Sequence, residues 1–335
     1  MTELVLDGEV RARACANIAV IKYWGKAPDR RPQDANLPAV PSLSLTLDKL
    51  WSETTVAFDP ESASDSLTLN GEPLGGERLA RASSVLDRVR ELGDLAAPFR
   101  VQSVNHVPTA AGLASSASGM AALAAAASRC AGLGLSAEGL SSLARIGSGS
   151  AARSIHGGWV SWDGPEARQV AAADHWDVAM VVAILNAGPK DVGSRDGMNL
   201  SRDTSPFYAS WVQNAQRLHE EGTEALLTRD LPRLITAMEA STLRMHAVAM
   251  TSEPSVIYWT PQTWAVVNRV RALRSSEGLC CGFTMDAGPN VKVLCRTEDA
   301  AGIAETLGQQ PGVQETLVCR PGGAVQVEVQ GRGDT

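Results

Sequence analysis

The residues from Pro108 to Gly119 (Pro-Thr-Ala-Ala-Gly-Leu-Ala-Ser-Ser-Ala-Ser-Gly) constrain the fold most, because they end a polar strand-like run and open a long alanine-rich helix. Gly112 permits a tight turn, the free N–H groups that begin the helix point outward, and the helix dipole favours an anion beside them. Ser115 and Ser116 add hydroxyl donors at the same place. A loop of this kind can cradle phosphate. It ends in no Gly-Lys-Ser/Thr and holds no G-x-G-x-x-G, so neither common nucleotide fingerprint applies. Small residues also let a helix lie close on a sheet, and this stretch by itself leaves both readings open.

A chain of 335 residues exceeds the usual single core and is expected to form two domains, large enough to carry a cleft. Its hydrophobic share of 44% and charged share of 20%, with no apolar run of bilayer length, predict a soluble globular protein without a membrane partner. The net charge of −7 argues against a nucleic-acid partner, since such binders concentrate Lys and Arg. An anionic ligand must then be met by a local basic pocket. Cys15, Cys130, Cys280, Cys281, Cys295 and Cys319 form no C-x-x-C pair and no His-flanked metal spacing, so reduced packing thiols are expected and no structural zinc. The five histidines show no metal spacing and receive no role. The acidic start, MTELVLDGEV, lacks the apolar core of a secretory signal, which predicts a cytoplasmic setting.

From Val10 to about Phe58 the pattern alternates as strands do, interrupted by a loop over 27–41 rich in Pro, Asp and Arg. Helices are predicted over 76–91, 113–131 and 136–147, with a strand near Phe99–Val104. Val178–Leu185 is continuously apolar, as a buried strand would be, and a second domain is placed from there: residues 1–177 and 178–330 are the expected units. Within the second, helical periodicity covers 204–226, 229–249 and 261–275. Strands are expected near 281–285 and 291–296, a helix near 298–308, and strands near 315–319 and 324–329. The fold class is therefore α+β.

Four further segments carry charge or hydroxyls in loop-like settings. Lys22 and Lys26, four apart around Tyr23 and Trp24, would share one helical face and clamp a polyanion, or else form a solvated basic edge. Ser148, Ser150 and Arg153 sit among glycines in Gly-Ser-Gly-Ser-Ala-Ala-Arg, and an arginine fork binds carboxylate or phosphate. Lys190, Ser194 and Arg195 lie where the second domain begins, in an exposed turn or a ligand loop at the cleft. Asp286 follows an apolar run and precedes a Gly-Pro turn, as a general base or a turn former.

Taken together, Asn17-Ile18-Ala19 through Lys22-Tyr23-Trp24-Gly25-Lys26, Pro108 through Ser116, Ser148 through Ser154, and Met285-Asp286-Ala287-Gly288-Pro289-Asn290 resemble, in order along nearly the whole chain, the GHMP small-molecule kinase superfamily. Within it they look like the mevalonate diphosphate decarboxylases. The resemblance implies a two-domain fold, with an N-terminal nucleotide-binding domain like ribosomal protein S5 and a ferredoxin-like C-terminal domain. It also implies an active site between them, ATP and Mg²⁺ as cosubstrates, and a homodimer. The reaction it implies is phosphorylation of the tertiary 3-hydroxyl of mevalonate 5-diphosphate, then loss of phosphate and CO₂ to leave isopentenyl diphosphate.

By that resemblance Asp286 is the base, Arg153 holds the substrate carboxylate, Lys22 supports the charge, and Ser116 aligns substrate and γ-phosphate. Tyr23, Lys26, Ser148, Ser150 and Arg195 would receive the substrate's phosphate end. Ser103, Asn105, Pro108, Gly112, Ser115, Ser116, Lys190 and Ser194 would line the nucleotide. Two departures from the family's pattern, Pro41-Ser42-Leu43-Ser44 and Gly193-Ser194, each remove a polar group, which leaves a decarboxylase of mevalonate 5-phosphate open. A kinase of the mevalonate type and a silent sensor on the same fold stay open beside it.

Overall fold

Eight consecutive apolar residues, Val178–Leu185, form a strand that is buried at every position in the computed structural model. The structure describes residues 8–28, 31–106, 115–185 and 191–331. The first half comprises β1 (Gly8–Ile21), β2 (Ser42–Phe58), β3 (Ser66–Leu69), β4 (Glu72–Pro73), α1 (Gly76–Gly93), β5 (Phe99–His106), α2 (Ser115–Cys130) and α3 (Ala137–Gly147). A 3-10 helix (Gly149–Ile155), β6 (Trp159–Trp162) and β7 (Ala167–Ala171) complete it. The second half runs β8 (Val178–Leu185), α4 (Ser194–Thr204), α5 (Tyr208–Leu227), α6 (Leu231–Met250), α7 (Pro261–Glu277), β9 (Cys281–Thr284), β10 (Val291–Arg296), α8 (Ala300–Gly308), β11 (Val313–Cys319) and β12 (Gln326–Gly331).

One sheet has the order β12-β1-β2-β5-β3-β4, with β6 joining β2 to β7. The other, β11-β8-β10-β9, is antiparallel throughout. Helices between β8 and β9 and again between β10 and β11 make it a split βαβ unit, so the class is α+β as expected.

Burial explains the patterns. In α2, Ala121, Ala122 and Ala124 to Ala127 are buried, and their short side chains seat the helix close on β1 and β2. One face of β8 packs Met180 and Val182 on Ile18, Val20 and Leu43 of the first sheet. Its other face packs Val181 and Ala183 against Val266 and Val270 of α7 and Ile303 of α8. A strand that feeds two cores has no solvent face, which is why it carries no polar residue.

Three differences from the sequence reading have physical causes. The strand β12 lies against β1, pairing Val10 with Val329 and Ala12 with Val327, so residues 326–331 belong to the first sheet and not to the sheet of residues 178–319. It thereby covers backbone groups of β1 that would otherwise form an open edge. Residues 194–204, whose first members Ser194 and Arg195 are expected in a turn or ligand loop, are helical. This polar helix is held by Gly197, Met198 and Ser201 on one buried stripe, and packing supplies what propensity does not. Gly197 is required there, because an added Cβ would stand 2.6 Å from Tyr258 Oη and 3.1 Å from the Trp24 ring. The short strands β6 and β7 lie in a stretch where the pattern suggests no element.

The return of the chain to the first sheet passes a tight crossing. The Gly158 amide donates to the Gly322 carbonyl (2.9 Å), the Gly322 amide to the Thr46 carbonyl (2.8 Å), and a Cβ on Gly157 would lie 2.5 Å from the Ala324 nitrogen. Gly157→Ala is expected to cost about 1–3 kcal/mol through overpacking. Urea denaturation checks this, and an unchanged midpoint would show that the crossing has slack.

Candidate active site

The chain leaving β1 at Ile21 enters neither helix nor strand, and Lys26 bridges Pro38, so Lys22 and Lys26 do not share a helical face. Helices of the second half fix this segment instead. The Lys22 amide donates to Ser241 Oγ of α6 (2.9 Å), Trp24 Nε1 donates to Ser201 Oγ of α4 (3.0 Å), and the Trp24 carbonyl accepts from Trp211 Nε1 of α5 (2.7 Å). The two tryptophans are buried, and their polar atoms have found partners as burial demands.

So placed, the Lys22 side chain is 1% exposed, and its ammonium donates to the Ala19 carbonyl (2.9 Å) and to Asp286 Oδ1 (2.7 Å). Asp286 follows β9. Its other oxygen, Oδ2, accepts from the Lys292 ammonium of β10 at 2.9 Å, with Lys292 5% exposed. About 38% of the Asp286 side chain stays open to the cleft. Burial opposes its charge, but Lys22 and then Lys292 outweigh burial and hold the carboxyl well below the usual carboxylate range. Lys22 is pushed down to about 8, chiefly by burial, against the pull of Asp286 and with the help of Lys292.

Arg153, on the 3-10 helix, is buried. Its Nε donates to Asn17 Oδ1 (2.9 Å) and its Nη1 to Ser42 Oγ (2.7 Å). Asn17 in turn donates to the Ser150 carbonyl (3.0 Å) and Ser154 Oγ (2.8 Å), so the guanidinium is built into a satisfied network. Burial lowers Arg153 to about 10 while Asp286 and Tyr23 oppose the shift, and it remains a cation at neutral pH.

These groups open on one cleft of about 610 Å³ between the two sheets' helices. Lys22, Arg153 and Asp286 line it together with Tyr23, Lys26, Ser148 and Ser150. The Tyr23 ring packs tilted against Trp162 with centroids 4.7 Å apart, and its buried hydroxyl has no hydrogen-bond partner among the described residues. Ser116 in the first turn of α2, Ser103 and Asn105 on β5, and Ser194 and Arg195 opening α4 line the same cleft. Ser103 hydrogen-bonds Thr54 (2.9 Å), Asn105 Oδ1 accepts from Ser52 Oγ (2.7 Å), and Arg195 reaches Glu77 of α1 at 3.6 Å. Pro108, Gly112 and Lys190 lie outside the described residues, as does the side chain of Ser115, which opens α2. Among the described residues no three His, Cys, Asp or Glu side chains converge on a metal site, and no helix is long and apolar enough to cross a membrane.

A buried lysine bonded to a cleft-facing aspartate, with a buried arginine and converging serines, is a setting that suits anionic, phosphate-bearing ligands. The chain as a whole is similar to known proteins. Residues 14–173 match the family model of the diphosphomevalonate decarboxylase-like N-terminal domain, and residues 180–324 that of the mevalonate 5-diphosphate decarboxylase C-terminal domain. The chain belongs to the diphosphomevalonate decarboxylase family. Diphosphomevalonate decarboxylase of Homo sapiens is 36% identical over 87% of this chain and 78% of its own length, and that of Aspergillus fumigatus 34% identical over 88% and 78%. Among solved structures, mevalonate diphosphate decarboxylase from Staphylococcus aureus is 38% identical with a TM-score of 0.89, covering 96% of this chain and 98% of that one. A structure of MDDEF in complex with MVAPP, AMPPCP and magnesium is 41% identical, also at 0.89, covering 96% and 99%.

The sequence reading gave no role to Asn17, Ser42 or Lys292, although Asn17 opens one of the motifs and Ser42 lies in one of the departures from the family's pattern. Lys292 lies six residues after Asp286, in the next expected strand. Two antiparallel strands joined by a short turn bring such positions together, which is the one signal the sequence carries for it. Ser42 faces Arg153 across 111 residues, and no local pattern announces that. Asn17→Ala leaves Arg153 Nε and Ser154 without this partner. It is expected to cost about 1–3 kcal/mol of stability and to lower activity with it, read by urea denaturation alongside turnover.

Proposed function

We propose that this protein catalyses the ATP-dependent decarboxylation of mevalonate 5-diphosphate to isopentenyl diphosphate, CO₂, ADP and phosphate. The observation that carries the reading is the Lys22–Asp286 pair, buried on the lysine side and open to the cleft on the carboxylate side, with Arg153 beside it. A tertiary hydroxyl is a poor leaving group, so it first takes the γ-phosphoryl group of ATP. When that phosphate leaves, the carbon–oxygen bond takes its electron pair away, and the pair of the carbon–carboxylate bond becomes the new double bond as CO₂ departs. Asp286 orients the hydroxyl and receives its proton, Arg153 holds the carboxylate, and Lys22 neutralises charge gathering near the reacting centre. Ser116 aligns the γ-phosphate. Tyr23, Lys26, Ser148, Ser150 and Arg195 take the substrate's phosphate end, where the unpartnered Tyr23 hydroxyl is a donor in waiting.

Mg²⁺ fits this site as an ion carried on the nucleotide's phosphates. The cleft walls offer hydroxyls and cations with few carboxylates, and Mg²⁺ keeps water and phosphate oxygens more readily than it enters an all-protein cage. The boundary at 177/178, the homodimer and the cytoplasmic setting belong to the same proposal. The start of β8 at Val178 supports the first, and light scattering tests the second.

The deciding assay follows ADP and CO₂ from ATP, Mg²⁺ and carboxyl-labelled mevalonate 5-diphosphate, with the 5-phosphate in parallel. Equal ADP and CO₂ from the diphosphate is the expected result. The same result from the monophosphate alone would reassign the substrate, and ADP without CO₂ would make the enzyme a kinase. Asp286→Asn should lower kcat about 10²–10⁴-fold while ATP still binds. Arg153→Ala should lower kcat/KM by on the order of 10²-fold in protein that remains folded, and an unchanged kcat/KM would remove Arg153 from the site.

A further inference from the structure

Neutralising one carboxylate takes one cation, yet Asp286 has two, each bound to its own oxygen and each almost wholly buried. Lys292 sits on β10 opposite Thr284 of β9 and Val182 of β8, and β8 offers it no polar side chain. Among the described residues Asp286 is its hydrogen-bonding partner. Burying an ammonium is costly, and a strand needing only to pack would carry an apolar residue here. With Lys22 and Lys292 charged and Asp286 ionised the trio holds one net positive charge, and Arg153 adds another.

We propose that Lys292 is a positioning residue for phosphoryl transfer: its ammonium pins Asp286 Oδ2 and presents the carboxylate to the substrate alcohol. The inference rests on the decarboxylase reading of the site and deepens it. A carboxylate bonded at both oxygens to ammonium groups retains a proton poorly, so the proton it collects must move on. Lys22, lowered to about 8 by burial, with Lys292 and Arg153 adding to the shift and Asp286 opposing it, is the group that exchanges a proton near neutrality. Among the described residues the remaining titratable group against the trio is His246 of α6, 2% exposed. Burial, then the charge of Lys22, holds it down to about 3, so it stays neutral throughout.

In balance, the alcohol O–H bond breaks and its proton crosses Asp286 to the neutral amine of Lys22. The alcohol oxygen bonds the γ-phosphorus, and ADP leaves with the electron pair of the broken P–O bond. Lys292 makes and breaks no covalent bond. Its charge sets the fraction of Lys22 that is neutral at the working pH.

The test compares Lys292→Gln and Lys292→Arg with the unaltered enzyme for kcat, for KM of both substrates, and for kcat against pH from 5.5 to 9.5, under saturating ATP and Mg²⁺. The glutamine variant should lose about 10–100-fold in kcat with little change in either KM. Its acidic limb should move to higher pH by about one unit, because without the neighbouring charge Lys22 keeps its proton longer as pH rises. The arginine variant restores the charge and should return the limb to its native position with most of the rate. A glutamine variant with native rate and profile overturns the proposal, and so does a lost rate with an unmoved limb, which marks a packing effect. If the glutamine variant does not fold, the arginine variant decides: folded and active with the native limb supports the role, while folded and inactive overturns it. Asp286→Asn in the same assay separates the two levels. If it stays active the site reading falls, whereas an inactive Asp286→Asn beside an unaffected Lys292→Gln removes only the role of Lys292.

Discussion

A lysine that is 1% exposed must find an anion, and for Lys22 the anion comes from the other half of the chain. Lys22 follows β1 of the first sheet and Asp286 follows β9 of the second, so the 2.7 Å contact between them fixes where the two sheets' ends meet. The surrounding hydrogen bonds serve that meeting. Ser241, Ser201 and Trp211, from three helices of the second half, hold the backbone and ring of Lys22 and Trp24. The four residues after β1 have no regular structure, so these hydrogen bonds are what keep the ammonium at its carboxylate.

The same economy of charge shapes the cleft. Lys22, Lys292 and Arg153 crowd around one carboxylate inside a protein whose net charge is −7. An excess of buried positive charge is unfavourable in the empty protein and becomes favourable when a polyanionic, carboxylate-bearing substrate arrives. Groups held rigidly before substrate binds need little reorganisation during reaction, which is how fixed dipoles and charges lower a barrier. Arg153 shows the rigidity: two of its donors are committed to Asn17 and Ser42, and these bonds set its plane.

Parts of this were legible from residue order. The periodicities of α1, α6 and α7 and the apolar run of β8 carry their own burial patterns, because a helix face or a two-sided strand must match the core it meets. Asp286, Arg153 and Lys22 stand in motifs whose residue types suit anion chemistry. The α4 helix was not legible, since its polar sequence is helical only against Trp24 and Tyr258. Nor was the geometry of Lys22 and Lys26, whose spacing of four suits a helix that the segment does not form. The turn at Asn70 and Gly71, both with positive φ, joins β3 to β4 with a residue pair that signals hairpins, yet these strands are too short for their alternation to stand out.

What the sequence determined by itself is the longer periodic elements, the α+β class and the chemical types of the site, because these follow from local periodicity and from residues with few other uses. Only the tertiary structure decided which charges meet. It set β12 against β1 across more than 300 residues, Ser42 on Arg153 across 111, and Lys292 on the second oxygen of Asp286. The reason is physical: propensity and periodicity act over a few residues, whereas the pairing of a buried charge depends on which strands and helices are adjacent in space.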